Sequence, residues 1–158
     1  MGFFDSIKKA KNYLTGGGVK IEIIQLDQPQ LRKPFKLKVL IILEDGEIEA
    51  DKIYLEIKNT EQLKMNVDIK DDTGKRYQRQ ETKYNILYER EYILDQMKLL
   101  QAYEKYTYEV EVNIPLHCFP SFKGVGAKYT WTVQAAIDKA GNNPESDLIY
   151  IEPEYTIS

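Results

Sequence analysis

The chain has 158 residues, 42% hydrophobic and 30% charged, enough for one domain with a real core and too apolar for a disordered polymer. Its formal net charge of -3 disfavours wrapping a phosphate backbone, so nucleic acid is not an expected partner. One cysteine and one histidine exclude an internal disulfide and a four-ligand Cys/His zinc site.

The first segment, Met1 to Leu14, reads as an amphipathic helix. Phe3, Ile7, Ala10 and Leu14 share a face with Phe4 at its border, and Asp5, Lys8, Lys9 and Asn12 lie opposite. Thr15-Gly16-Gly17-Gly18 stops it and supplies a joint. Residues 1–18 are thus an appendage and residues 19–158 the folded domain.

From Val19 the period changes to two. Val19, Ile21 and Ile23 alternate with polar neighbours, and a phase shift at Ile24 and Leu26 predicts a bulge. Phe35 to Leu43 makes a second strand, and Glu44-Asp45-Gly46-Glu47 reads as a hairpin turn. Ile53, Leu55 and Ile57 predict a third strand. Leu63, Met65, Val67 and Ile69 predict a fourth, closed by a turn at Asp71 to Gly74. Tyr84, Ile86 and Tyr88 suggest another, while Ile93 to Leu100 reads ambiguously. Tyr106 to Ile114, Tyr129 to Ile137 and Leu148 to Ile151 complete the set. The longest unbroken apolar run, Val39 to Leu43, is far short of the ~20 residues that span a bilayer. One-sided alternation with no βαβ pattern predicts an all-β fold, an antiparallel immunoglobulin-like sandwich. Trp131, Val133, Ile137, Val110, Val112, Ile53, Leu55 and Leu37 are its expected core.

Three pieces of the second half carry a family pattern: Ile114-Pro115, Pro120-Ser121-Phe122, and Tyr129 through Ala135 to Asp138. Together they resemble the distal half of an arrestin-type N-domain. Ile21 to Asp27 with Pro29, and Asp51 to Ile57, are similar to that family's first and third strands. The opening Met1-Gly2-Phe3-Phe4 is similar to the bacterial sporulation-control proteins that carry the fold. The resemblance covers roughly residues 19 to 152 and corresponds to a single lobe of a two-lobed architecture. It implies a loop at Pro120-Ser121-Phe122 that crosses between sheets, with Phe122 plugging the open end of the core.

Candidate chemistry is sparse. His117 and Cys118 are adjacent, and neighbours in an extended segment point apart, so they do not form a nucleophile–base pair. Glu44, Asp45, Glu47, Glu49 and Asp51 lack the spacing of a calcium loop and read as a solvated turn. Gly16 to Lys20 lacks the Lys-Ser/Thr step of a phosphate loop. No catalytic, cofactor-binding or metal-binding residue is assigned, and no cofactor. Of the twelve tyrosines, the seven from Tyr77 to Tyr108 read either as a partly exposed binding face or as ordinary strand residues, since aromatic side chains favour sheets.

The expected function is therefore non-enzymatic: a cytoplasmic adaptor or scaffold that binds protein partners, as the arrestin resemblance implies. In a bacterium the same resemblance points to sporulation or stress regulation. The rival reading is a sandwich that binds a small ligand or carbohydrate through tyrosines and Trp131. The expected contact residues are Phe3, Phe4, Ile7, Lys8, Lys11 and Leu14. That helix has three candidate uses, in order: docking on its own sandwich, homodimerisation, and weak peripheral contact with a membrane.

Overall fold

A computed structural model describes residues 18–155. The helix expected in the first segment, with all six of its contact residues, lies outside the described residues.

Among the described residues, eight strands form two antiparallel sheets: β1 (Val19–Gln25), β2 (Phe35–Leu43), β3 (Ile48–Lys70), β4 (Arg76–Leu100), β5 (Lys105–Val112), β6 (Phe122–Lys123), β7 (Ala127–Asp138) and β8 (Ile149–Ile151). The smaller sheet has the order β1-β2-β5, and the larger has β4-β3-β7-β6, with β8 also paired to β7. The alternating apolar positions of both sheets face each other and bury a continuous core. Leu37, Ile53, Leu55, Val110, Val112, Trp131, Val133 and Ile137 are all buried, as their alternation predicts.

Sheet membership differs from the sequence reading at one turn. Asp45-Gly46 does not close a hairpin, because β2 lies in the small sheet and β3 in the large one. Gly46 adopts φ 71, and the turn carries the chain across the sandwich. The phase shift after β1 is real but falls one step later than expected. The β1–β2 register is regular to Gln25, and then Leu26 and Asp27 both donate their amides to the Lys36 carbonyl, at 3.0 and 3.2 Å.

The largest departure concerns the middle of the chain. The predicted third and fourth strands are one 23-residue strand, β3, and the strand expected at Tyr84 to Tyr88 joins the ambiguous Ile93 to Leu100 in one 25-residue partner, β4. They pair from Ile48↔Leu100 to Lys70↔Arg76, with register breaks between Ile53 and Tyr54 and between Asn59 and Thr60. Those breaks insert Leu94 and Leu87 as bulges in β4, which bend the strand and hide its period of two from a sequence reading.

Candidate functional site: an amphipathic β-arm and its root

Strand β7 accompanies β3 only as far as Leu63↔Ala127, and the last tie is the Lys64 amide to the Gly126 carbonyl at 2.9 Å. Beyond it β3 and β4 continue alone as a two-stranded arm over residues 64–83. Seven residues of β3 make it ~23 Å long at ~3.3 Å per residue.

Register fixes what each face carries. Leu63, Met65, Val67 and Ile69 continue, two by two, the row that begins with the buried Ile53, Leu55 and Ile57. Opposite them stand Lys83, Glu81, Arg79 and Tyr77. The other face holds Lys64, Asn66, Asp68 and Lys70 against Thr82, Gln80, Gln78 and Arg76. The core-side row of the sandwich therefore runs out onto the arm without the small sheet to cover it. Met65, Val67 and Ile69 are half-buried, and Glu81 and Arg79, which pair with each other, stand opposite Met65 and Val67 on β4. The arm is amphipathic.

A two-stranded ribbon is marginal alone, so the arm depends on continuity with the sheet and on its turn. Asp71 Oδ1 accepts the Thr73 amide at 3.0 Å, the Thr73 hydroxyl at 2.6 Å and the Lys75 amide at 2.9 Å, while Gly74 takes φ 84. The Thr73 hydroxyl, and then the Lys75 amide, hold the Asp71 carboxyl below its ordinary range. A depressed folded value means that these bonds stabilise the turn above the unfolded carboxylate value and are lost as pH falls through the folded one. The Thr73 and Lys75 amide resonances should titrate with a midpoint below ~3.9, the ordinary aspartate value. A midpoint at or above it would show that the carboxylate is not bonded in solution.

The arm's root is aromatic. Phe119 and Phe122 each lie with their ring centroids 6.1 Å from that of Tyr129, whose hydroxyl donates to Glu61 at 3.0 Å. Asn85 donates to the other Glu61 oxygen at 2.9 Å, tying β4 to β3 at the same level. Phe122 is 53% exposed, so it does not plug the core as expected. The backbone of its loop does that work. The Phe119 carbonyl accepts Trp131 Nε1 at 2.7 Å and Asn59 Nδ2 at 3.4 Å, closing the sandwich over two buried polar groups. Ser121 donates to the Ile151 carbonyl at 3.3 Å, a structural bond.

A cavity of about 200 Å³ opens beside this loop, lined by Asn59, Leu87, Tyr88, His117, Cys118 and Phe119. Cys118 is buried, and burial pushes its thiol up, away from the nucleophilic thiolate. A longer groove of about 630 Å³ follows the edge of β7 between β6 and β8, bordered by Tyr150 and Tyr155. Among the described residues, no three His, Cys, Asp or Glu side chains converge on a point that would hold a metal ion.

The tyrosines divide into two sets, one for each reading of the sequence. Tyr88, Tyr92, Tyr106 and Tyr108 pack against the core. Tyr92 and Asn113 exchange bonds at 3.1 and 3.4 Å, Tyr106 accepts the Gln101 amide at 2.9 Å, and Tyr108 donates to Asp95 at 3.0 Å. Burial, then Asp95, pushes the Tyr108 phenol far up, so it stays a neutral donor. These rings seal the β4–β5 side of the sandwich. Only Tyr77, Tyr84 and Tyr103 of the group remain open to solvent.

Against this geometry, one solved structure is informative. The sporulation control protein Spo0M from Bacillus subtilis superposes with a TM-score of 0.61 at 16% identity, over 87% of this chain and 50% of that one. The fold is an arrestin-like β-sandwich. At that identity the likeness extends to the fold alone, and the chain spans half the length of the protein it matches. No family model and no curated protein matches the sequence.

Proposed function

We propose that the chain is a non-enzymatic adaptor of arrestin-like type, acting in the cytoplasm and holding a protein partner with its β-arm. The amphipathic arm is the observation that carries this reading. An uncovered apolar row on a projecting ribbon is a surface that gains from burial, and strand-on-groove contacts are a common way to recognise protein. Residues 64 to 83 carry six basic and four acidic side chains in a chain whose net charge is -3, so the arm favours a partner with an apolar strip flanked by carboxylates. In a bacterial host, the likeness to Spo0M, a sporulation control protein, supports a place in sporulation or a related stress response.

Trimming tests the reading cleanly, because Leu63↔Lys83 is a paired rung that a short Asn-Gly turn can close. The trimmed protein should keep the unfolding midpoint of the full chain and lose every partner that co-purifies from the native host. Retention of those partners would remove the arm from the function. The small-ligand reading has the 630 Å³ groove in its favour. A ligand there would raise the thermal midpoint equally in the full and the trimmed protein.

A further inference from the structure

We infer that the cavity of about 200 Å³ beside the Phe119 loop binds a small neutral molecule of phenol type, one aromatic ring carrying one hydroxyl donor. An unpartnered acceptor in its lining carries the inference. Asn59 is 1% exposed, and its Oδ1 is buried with no donor in reach among the described residues. Such atoms are rare, because burial strips their water and only a donor makes up the loss. The orientation of the amide is set by its neighbours. Asn59 Nδ2 donates to the Phe119 carbonyl at 3.4 Å, and Trp131 Nε1 donates to the same oxygen at 2.7 Å. Turning the amide over would set two acceptor oxygens against each other, so Oδ1 is the open atom.

Strand register makes the room. Asn59 pairs with Tyr88 and Thr60 with Ile86, so Leu87 is the extra residue of a bulge at the point where the cavity lies. Burial orders the lining from floor to mouth. Cys118, 7% exposed, joins Asn59 in the floor. Tyr88 is half-buried in the wall, its ring 5.8 Å from that of Trp131. Leu87, His117 and Phe119 are exposed and form the mouth.

Size, charge and polarity together define the ligand. A dry apolar cavity of about 150 Å³ takes up benzene, so this one holds a single ring with a substituent. The lining has no carboxylate to pair with a cation, and the open carbonyl oxygen repels an anion, so the ligand is neutral. Burial keeps the Cys118 thiol uncharged as well. A water molecule needs about two to four polar partners, and beyond Oδ1 the floor offers only a weakly bonding sulfur. A ring hydroxyl needs one acceptor. Its ring then covers the apolar remainder against the aromatic faces and edges of Tyr88 and Phe119.

Phenol and toluene, matched in size and differing in the hydroxyl, test the site on the full chain. Saturating phenol should shift the Asn59 side-chain amide and the Cys118 backbone amide resonances. It should also slow methanethiosulfonate labelling of Cys118, the one cysteine of the chain, at least about tenfold. Toluene should bind at least about tenfold more weakly, since it leaves Oδ1 unpaired. In Asn59→Leu the preference should reverse. Should that variant fail to fold, Leu87→Trp at the exposed mouth should close the cavity to both compounds and leave the melting midpoint unchanged. Phenol that shifts neither resonance would overturn the inference and leave the cavity to water. Equal affinity for phenol and toluene would overturn it too, because Oδ1 would then play no part. So would shifts confined to Tyr150 and Tyr155 in the groove along β7. The cavity takes no residue from the arm, so a failure here and a failure of partner binding are separate results.

Discussion

Replacing Trp131 by alanine should cost ~3–5 kcal/mol and lower the thermal midpoint by ~10 °C or more. Trp131 is completely buried on β7, opposite Asn59 on β3. Its ring lies 5.8 Å from Tyr88, and its indole N–H holds the Phe119 carbonyl at 2.7 Å. Alanine removes the largest side chain of the core and releases the loop that caps it. Trp131→Phe keeps most of the volume and loses only the bond, so it should cost ~1–2 kcal/mol. Circular dichroism melts of the two variants check the pair. A Trp131→Ala protein within ~1 kcal/mol of wild type would mean that the indole stands at the surface, as the ligand-platform reading required.

The second large effect falls on binding rather than stability. Val67→Asp with Ile69→Asp places two carboxylates on the apolar row of the arm, where β4 is the one strand paired with β3 among the described residues. The change should move the unfolding midpoint little, since substitutions outside the core stay near ±0.5 kcal/mol. Partner affinity should fall at least ~100-fold, as when a central apolar anchor is lost and charge is buried in its place. Asn66→Asp with Asp68→Asn, on the opposite face, should leave affinity within ~threefold. Calorimetry against a partner recovered from the host distinguishes these pairs, and equal losses from both faces would contradict a one-sided arm.

How much of this was legible in the sequence depends on what each residue's neighbours decide. The sandwich was readable because Leu37, Ile53, Leu55 and Trp131 alternate strictly, and alternation reports burial on one face. The arm was half readable. Leu63 to Ile69 declares a strand, but period two says nothing about whether a second sheet covers that strand. Residues Thr60, Glu61 and Gln62 look like a break, yet β3 runs straight through them because β7 pairs on their other side. Sheet membership was illegible for the same reason: an Asp-Gly turn fits a hairpin and a sheet-to-sheet passage equally well. Phe122 was misplaced because a backbone carbonyl, invisible to side-chain reasoning, took over the capping role. The tyrosines stayed open between two readings because aromatic residues suit both exposed faces and the seam between two sheets.

Face-resolved photo-crosslinking in the native host tests the adaptor account most directly. A benzophenone amino acid at Val67 and one at Asn66 are adjacent in sequence but lie on opposite faces of the arm. A discrete protein adduct is expected from position 67, weak or absent at position 66, and abolished when Ile69→Asp is added to the 67 probe. Equal labelling from both faces, or no adduct at 67 in cells where the protein is functional, would contradict it.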